Sequence, residues 1–312
     1  MGLVLKWLGQ AVKGLRSFAY AGEENHRPRV GVALGGGFAR GIAHVGVLRA
    51  LHEYGIPVDV IAGTSVGALI AAAYASGSTT EEMERQGSAT RFSDFGRWTI
   101  SRMGMASNER LEDFLRKFTV LHRFEDMKLP LGIVATDLLT GQSAYFTTGE
   151  IGPALRASCA YPGLFLPLAI DDRVVVDGFL TEQVPALCAR SMGAQVVISV
   201  NLEPGLLHTR PRNTIEVISR SFSILQTTAR QPWRDATDVL IEPDVHDILW
   251  DEFVRTPELV AAGFAATKAA LPKIREEIAR RERANRNGGP RNVLRNQEAP
   301  GMAKTADHKQ YR

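Results

Sequence analysis

This 312-residue sequence predicts an α/β fold, with a mostly parallel central sheet covered by helices on both faces. Three observations carry the prediction. From Arg29 onward, short β-branched runs alternate with longer helical ones, the order that builds strand–helix–strand units. Glycines cluster at two strand-to-helix junctions, Gly35-Gly36-Gly37 and Gly63 with Gly67, where larger residues would collide with neighbouring backbone. Composition agrees, since 45% hydrophobic and 23% charged residues suit a soluble globular chain with a sizeable core.

Residues 30–34 form the first predicted strand, followed by a helix over 42–54 that Gly55 and Pro57 close. Residues 58–62 form the second strand, and its helix over 68–75 stops at Gly77. A third strand over 131–136 turns at Thr140-Gly141 into a partner strand over 143–147. A strand at 174–176, a helix over 186–192 and strands at 195–200 and 238–242 complete the sheet. The last helix, 257–283, contains Pro272, where a kink or break is expected. Residues 92–105 hold Phe92, Phe95, Trp98, Ile100, Met103 and Met105 without clean periodicity. They read either as the packed face of a connecting helix or as a lid or entrance over a site.

Charge divides the chain. Residues 1–19 carry Lys6, Lys13 and Arg16 and no acid, and residues 280–312 carry nine basic and three acidic side chains. The overall charge of +3 therefore leaves an acidic body between two basic ends, a pattern suited to an anionic surface. On a helical wheel, residues 3–19 separate into an apolar face with Trp7 and Phe18 and a polar face whose only charges are basic. Such a helix lies in a lipid interface, or docks on protein, including a second copy of the chain. Residues 1–24 are thus read as this helix and its linker, 25–283 as the catalytic domain and 284–312 as a basic disordered tail. Lys6 and Lys13 interrupt the apolar core a secretion signal needs, so a cytoplasmic location is expected, peripheral to the inner face of the cell membrane. Cys159 and Cys188 offer no disulfide framework and read as buried thiols.

Gly63-Thr64-Ser65-Val66-Gly67 between strand and helix is the setting of a nucleophile elbow, which makes Ser65 the candidate nucleophile. The amides of Gly35, Gly36 and Gly37, near a helix N-terminus, are candidate holders of a developing oxyanion. The base is open on residues alone. His208, His246 and His308 are late enough for a Ser-His-Asp order, and none has a supporting local motif. His44 reads as a helix-packing residue. Asp137 and Asp177 each end a predicted strand, where open α/β sheets build active sites, and they tie. The glycine loop lacks the third glycine of a dinucleotide fingerprint, because Arg40 stands there. No metal, cofactor or nucleic-acid partner is expected.

The run Gly35-Gly36-Gly37-Phe38-Ala39-Arg40-Gly41-Ile42, the elbow at Ser65, the stretch Arg156-Ala157-Ser158-Cys159-Ala160-Tyr161-Pro162-Gly163 and Val176-Asp177-Gly178 together resemble the patatin-like phospholipases. Four motifs in register are far more specific than one elbow. The resemblance implies a three-layer α/β/α domain, a Ser65–Asp177 dyad with no obligatory histidine, and an oxyanion hole from Gly35 to Gly37. It also implies hydrolysis of fatty acyl esters of phospholipids or lysophospholipids. Arg40 is read as loop support, a lipid-phosphate contact or a structural ion pair. Phe179 and Glu182-Gln183 depart from the family pattern, and Phe179 is expected to crowd the dyad or line an acyl pocket. A Ser-His-Asp esterase on small soluble esters and a non-catalytic regulatory binding protein are the rival classes.

Overall fold

The computed structural model describes residues 26–99, 101–117, 121–202, 210–211, 213–228, 231–248 and 252–288. The predicted helix at 3–19, His208, His308 and the tail from 289 onward lie outside these residues.

In chain order come β1 (Val30–Leu34), α1 (Ala43–Glu53), β2 (Val60–Thr64), α2 (Val66–Ser76), α3 (Thr80–Ala89), β3 (Arg97–Trp98), β4 (Ala106–Ser107) and α4 (Arg110–Leu115). Then follow β5 (Leu131–Asp137), β6 (Ser143–Phe146), α5 (Ile151–Ser158), β7 (Leu168–Ile170), β8 (Arg173–Asp177) and α6 (Ala186–Ser191). The chain continues through β9 (Val196–Val200), α7 (Thr214–Thr228), α8 (Pro232–Asp235), β10 (Val239–Ile241) and α9 (Thr256–Arg286). The main sheet has the order β10-β9-β1-β2-β5-β8-β7, with β6 also paired to β5. Its first five strands are mutually parallel, while β6, β7 and β8 pair antiparallel.

Residues of β1, β2, β5 and β9 are buried on both faces, as a helix-covered parallel sheet requires. Val30, Val32 and Leu34 face a large core shared with α1, α2, α5 and α9, while Ala33, Val60 and Ala62 face a smaller one beneath α6 and Trp233. Helices α1 and α9 cross closely. A methyl group on Gly46 would overlap the Val260 carbonyl, and one on Gly263 would overlap that of Ala43.

Three expectations need correction. Strand β2 spans Val60–Thr64, two residues later than predicted, because the Asp59 carboxylate accepts the Val30 N–H at 2.7 Å and pairs with Arg27. Helix α9 continues through Pro272 without a break. The missing proline N–H removes one helical bond, but buried Leu271 and Ile274 hold the segment against the core. The described residues of 92–105 form no connecting helix. They make a short 3-10 turn at Phe92–Asp94 and enter the β3–β4 hairpin, which Gly96 and Gly104 let close on Phe165.

Candidate active site

Register brings the site together. Thr64 on β2 pairs with Val134 on β5, and Ala135 pairs with Asp177 on β8. Ser65, next after Thr64, and Asp177, last in β8, therefore arrive at one level on either side of β5.

Ser65 adopts φ 56° and ψ −127°, a region that costs a non-glycine residue on the order of 1–3 kcal/mol. The surroundings enforce it. A side chain on Gly63 would strike the backbone of Gly67 and Ala68, and one on Gly67 would strike the Leu34 carbonyl. The Ser65 N–H donates to Ser158 Oγ at 2.8 Å, and that hydroxyl donates to the Val134 carbonyl at 2.6 Å. The turn thus faces its hydroxyl into the cavity from the N-terminus of α2.

Asp177 is 1% exposed. Its Oδ1 accepts the Phe179 N–H at 3.0 Å, whereas Oδ2 is buried with no hydrogen bond formed. Burial pushes its pKa up to about 7, opposed by the Phe179 N–H and by the neighbouring Ser65 hydroxyl. Asp137 sits elsewhere. Its two oxygens accept from the Leu139 N–H and the Thr140 hydroxyl, both at 2.9 Å, and so close the β5–β6 turn.

The glycine loop differs from expectation. Gly35 N–H donates to Val200 O at 3.1 Å, extending the β1–β9 ladder, and Gly36 N–H donates to Gln183 O at 3.2 Å. Only the Gly37 amide of the three is uncommitted among the described residues. Two of the three expected oxyanion donors thus already have acceptors, which leaves the Gly37 amide as the candidate. Gly36 lies against Ser65, with space for a methyl group 3.5 Å from Ser65 Cβ.

His44 fixes this loop from below. It is fully buried, with Nε2 at 2.8 Å from Gly35 O, so Nε2 carries the proton. Burial lowers its pKa to about 4 and keeps the ring neutral. Arg40 makes no ion pair among the described residues. Its Nε donates to Gly37 O at 3.4 Å, and burial lowers its pKa to about 10.

Ser65 and Asp177 line one cavity with Cys159 and Asn108; its remaining wall is apolar or aromatic, including Leu69, Phe95, Phe165 and Phe253. Phe179 does not line it. Its ring stacks on Tyr161 at 4.9 Å and meets Phe222 of α7 edge-on at 5.2 Å, so it packs on a residue of the cavity wall rather than forming that wall itself. Cys159 is closer to the chemistry than a packing thiol. Burial and the Asp177 carboxylate raise its pKa, so it remains a neutral S–H group beside Ser65.

Sequence reasoning also passed over Glu182 as a support. Its carboxylate accepts the Leu187 and Cys188 amides at the start of α6 and the Tyr145 hydroxyl, at 2.7, 3.1 and 2.7 Å. Gln183 next to it holds the Gly36 amide. Their departure from the family pattern at this point was the available signal. His246 is exposed, and no histidine lines the cavity among the described residues. No cluster of three potential metal ligands occurs among the described residues, and no described helix is long and apolar enough to cross a membrane.

A serine turn of this geometry, set on a mostly parallel sheet between helical layers, defines the class of α/β proteins with a G-x-S-x-G elbow. Within that class the chain belongs to the patatin-like phospholipase family, whose model matches residues 32–190. An uncharacterized NTE family protein of Mycobacterium tuberculosis is 36% identical over 177 residues, covering 56% of this chain and 49% of that protein. Lysophospholipase NTE1 of Mycosarcoma maydis is 32% identical over 233 residues, covering 69% of this chain and 12% of that protein. The chain thus spans about half the length of its mycobacterial relative and far less of the fungal one. Among solved structures, VipD from Legionella pneumophila matches with TM-score 0.47 and 12% identity over 81% of this chain and 67% of its own.

Proposed function

We propose that this protein is a serine acyl hydrolase in which Ser65 and Asp177 form a dyad that cleaves fatty acyl esters of phospholipids or lysophospholipids at a membrane surface. One observation carries the reading: a serine held at positive φ and a buried carboxylate with an unbonded oxygen share one mostly apolar cavity.

In the proposed reaction Asp177 takes the proton of the Ser65 hydroxyl as Oγ attacks the ester carbonyl. The carbonyl oxygen becomes an oxyanion beside the Gly37 amide. Collapse of the intermediate breaks the ester bond, and the proton on Asp177 passes to the departing alcohol. Water then gives a proton to Asp177 and attacks the acyl-enzyme, and Ser65 recovers its hydrogen as the fatty acid leaves. A pKa near 7 suits a group that both accepts and returns a proton at neutral pH. The apolar wall accommodates the acyl chain, and Arg40, which meets no carboxylate among the described residues, supports the loop or meets the lipid phosphate. The basic amphipathic segment 3–19 would add peripheral contact with the inner face of the cell membrane, or an oligomer contact.

The test compares Ser65→Ala and Asp177→Asn with the unsubstituted chain on phospholipid and lysophospholipid vesicles, alongside fluorophosphonate labelling. Loss of the base lowers the rate about 10²- to 10⁴-fold, and Ser65→Ala abolishes labelling. Full hydrolysis by Asp177→Asn, with collapse in His246→Ala or His208→Ala, favours the Ser-His-Asp alternative. An unlabelled Ser65 favours a non-catalytic binding role.

A further inference from the structure

Single exposed apolar residues are ordinary on any surface. Here they concentrate. Among the described residues, Trp98 (67% exposed) and Met103 (63%) project from the β3–β4 hairpin, and Val254 (85%) adjoins the cavity-lining Phe253. Val217, Ile224 and Leu225 form an exposed stripe on α7, while Ile215, Ile218 and Phe222 on another side of that helix pack inward.

Both elements rest on one small apolar cluster. Ala106 of the hairpin and the inward residues of α7 pack with Tyr161 and Phe165, and both aromatics line the Ser65 cavity. The hairpin is tied there by the Met105 and Ala106 amides, which donate to Leu164 O at 3.0 and 2.9 Å. An exposed apolar rim therefore borders the mouth of the proposed active site. The charge of the hairpin is one-sided. From Gly96 to Asn108 the chain carries Arg97 and Arg102 and no acid. Both arginines are exposed, and neither meets a carboxylate among the described residues.

We infer that this rim is a docking face for an anionic phospholipid bilayer, separate from the N-terminal segment. An exposed indole and thioether flanked by guanidinium groups match the boundary between acyl chains and phosphates. Trp98, Met103 and the α7 stripe enter the interface while Arg97 and Arg102 meet lipid phosphates, so an acyl chain passes into the cavity without crossing bulk water. The inference rests on the acyl-hydrolase reading for its purpose, but the binding it describes is measured independently of turnover.

The experiment uses the full chain with phosphatidylcholine vesicles, with and without phosphatidylglycerol, and a soluble short-chain ester as the catalytic control. Trp98→Asp/Met103→Asp lowers vesicle binding and vesicle hydrolysis by about tenfold or more and leaves soluble-ester hydrolysis unchanged. Arg97→Gln/Arg102→Gln weakens binding roughly thirtyfold on phosphatidylglycerol-containing vesicles alone, the effect of two interfacial charges. A fluorophore attached through Met103→Cys, with the unsubstituted chain as labelling control, shifts its emission to the blue when vesicles are added. Unshifted emission overturns the docking face, as does sedimentation showing a dimer that the substitutions dissociate, which assigns the rim to a second copy. Absence of ester hydrolysis by the unsubstituted chain counts against the dyad, while the emission shift still decides whether the rim enters a bilayer.

Discussion

The backbone N–H of Ser65 ends on the hydroxyl of Ser158, 2.8 Å away, and that hydroxyl passes its own hydrogen to the carbonyl of Val134. A residue on α5 thereby pins the turn of β2 to the middle of β5. Ser158→Ala leaves both backbone groups without this partner in a site where Ser158 is fully buried. An orphaned buried donor costs about 1–3 kcal/mol. Thermal unfolding should show that loss, and kcat on a soluble ester should fall about tenfold or more because the elbow is no longer held. Unchanged melting and turnover would contradict the role assigned to Ser158.

The proposed role of Asp177 fixes the expected pH response. A base with pKa about 7 acts only when charged, so kcat/KM on a soluble ester should rise tenfold per pH unit below 7 and level off above it. His44, neutral down to about pH 4, adds no limb in this range. Stability has the opposite sign. Because the folded pKa lies above the unfolded value, the folded state binds the extra proton between about pH 4 and 7, and its stability falls as pH rises through that window. Asp177→Asn should therefore melt higher than the parent chain at pH 8, with the gain fading toward pH 4. A gain independent of pH would mean that the carboxylate is not strained by burial.

Glu182 is buried with pKa raised to about 7 by desolvation, although it accepts three hydrogen bonds. Geometry and charge can be separated here. Glu182→Gln keeps an oxygen for the Leu187 and Cys188 amides and removes the buried charge, so stability at pH 8 should hold or increase. Glu182→Ala orphans both amides and the Tyr145 hydroxyl, and should cost roughly 2–3 kcal/mol at pH 5 and less at pH 8, where it also removes the buried charge. Urea unfolding of the two variants at pH 5 and 8 measures both outcomes; equal losses would show that only side-chain volume matters.

Strand β1 was legible to the residue, and the helices following both glycine junctions to within two residues, because buried β-branched runs and glycine stops are local signals. Helix α3 was missed despite a capping box between Thr79 and Glu82, and α7 because its two apolar stripes blur a single period. Edge strand β7 is three residues long and carries little pattern of its own. In the site, the meeting of Ser65 and Asp177 followed only from motif order and became geometry through the register across β5. The commitment of the Gly35 and Gly36 amides was not legible. It depends on Val200 and Gln183, far away in sequence, and a run of three glycines looks the same whether its donors are used or free.

β2 and β5 lie side by side in the sheet although residues 65–130 separate them in the chain. Beyond α2, the described residues of that excursion add no strand to the main sheet, yet they contribute Phe95, Asn108 and Leu111 to the cavity. The proposed reacting groups and the surface that would greet a ligand are thus encoded in separable stretches. Mutation and insertion between Gly77 and Pro130 can remodel what is admitted while the adjoining strands keep their partners, which gives one framework room to diversify its clientele.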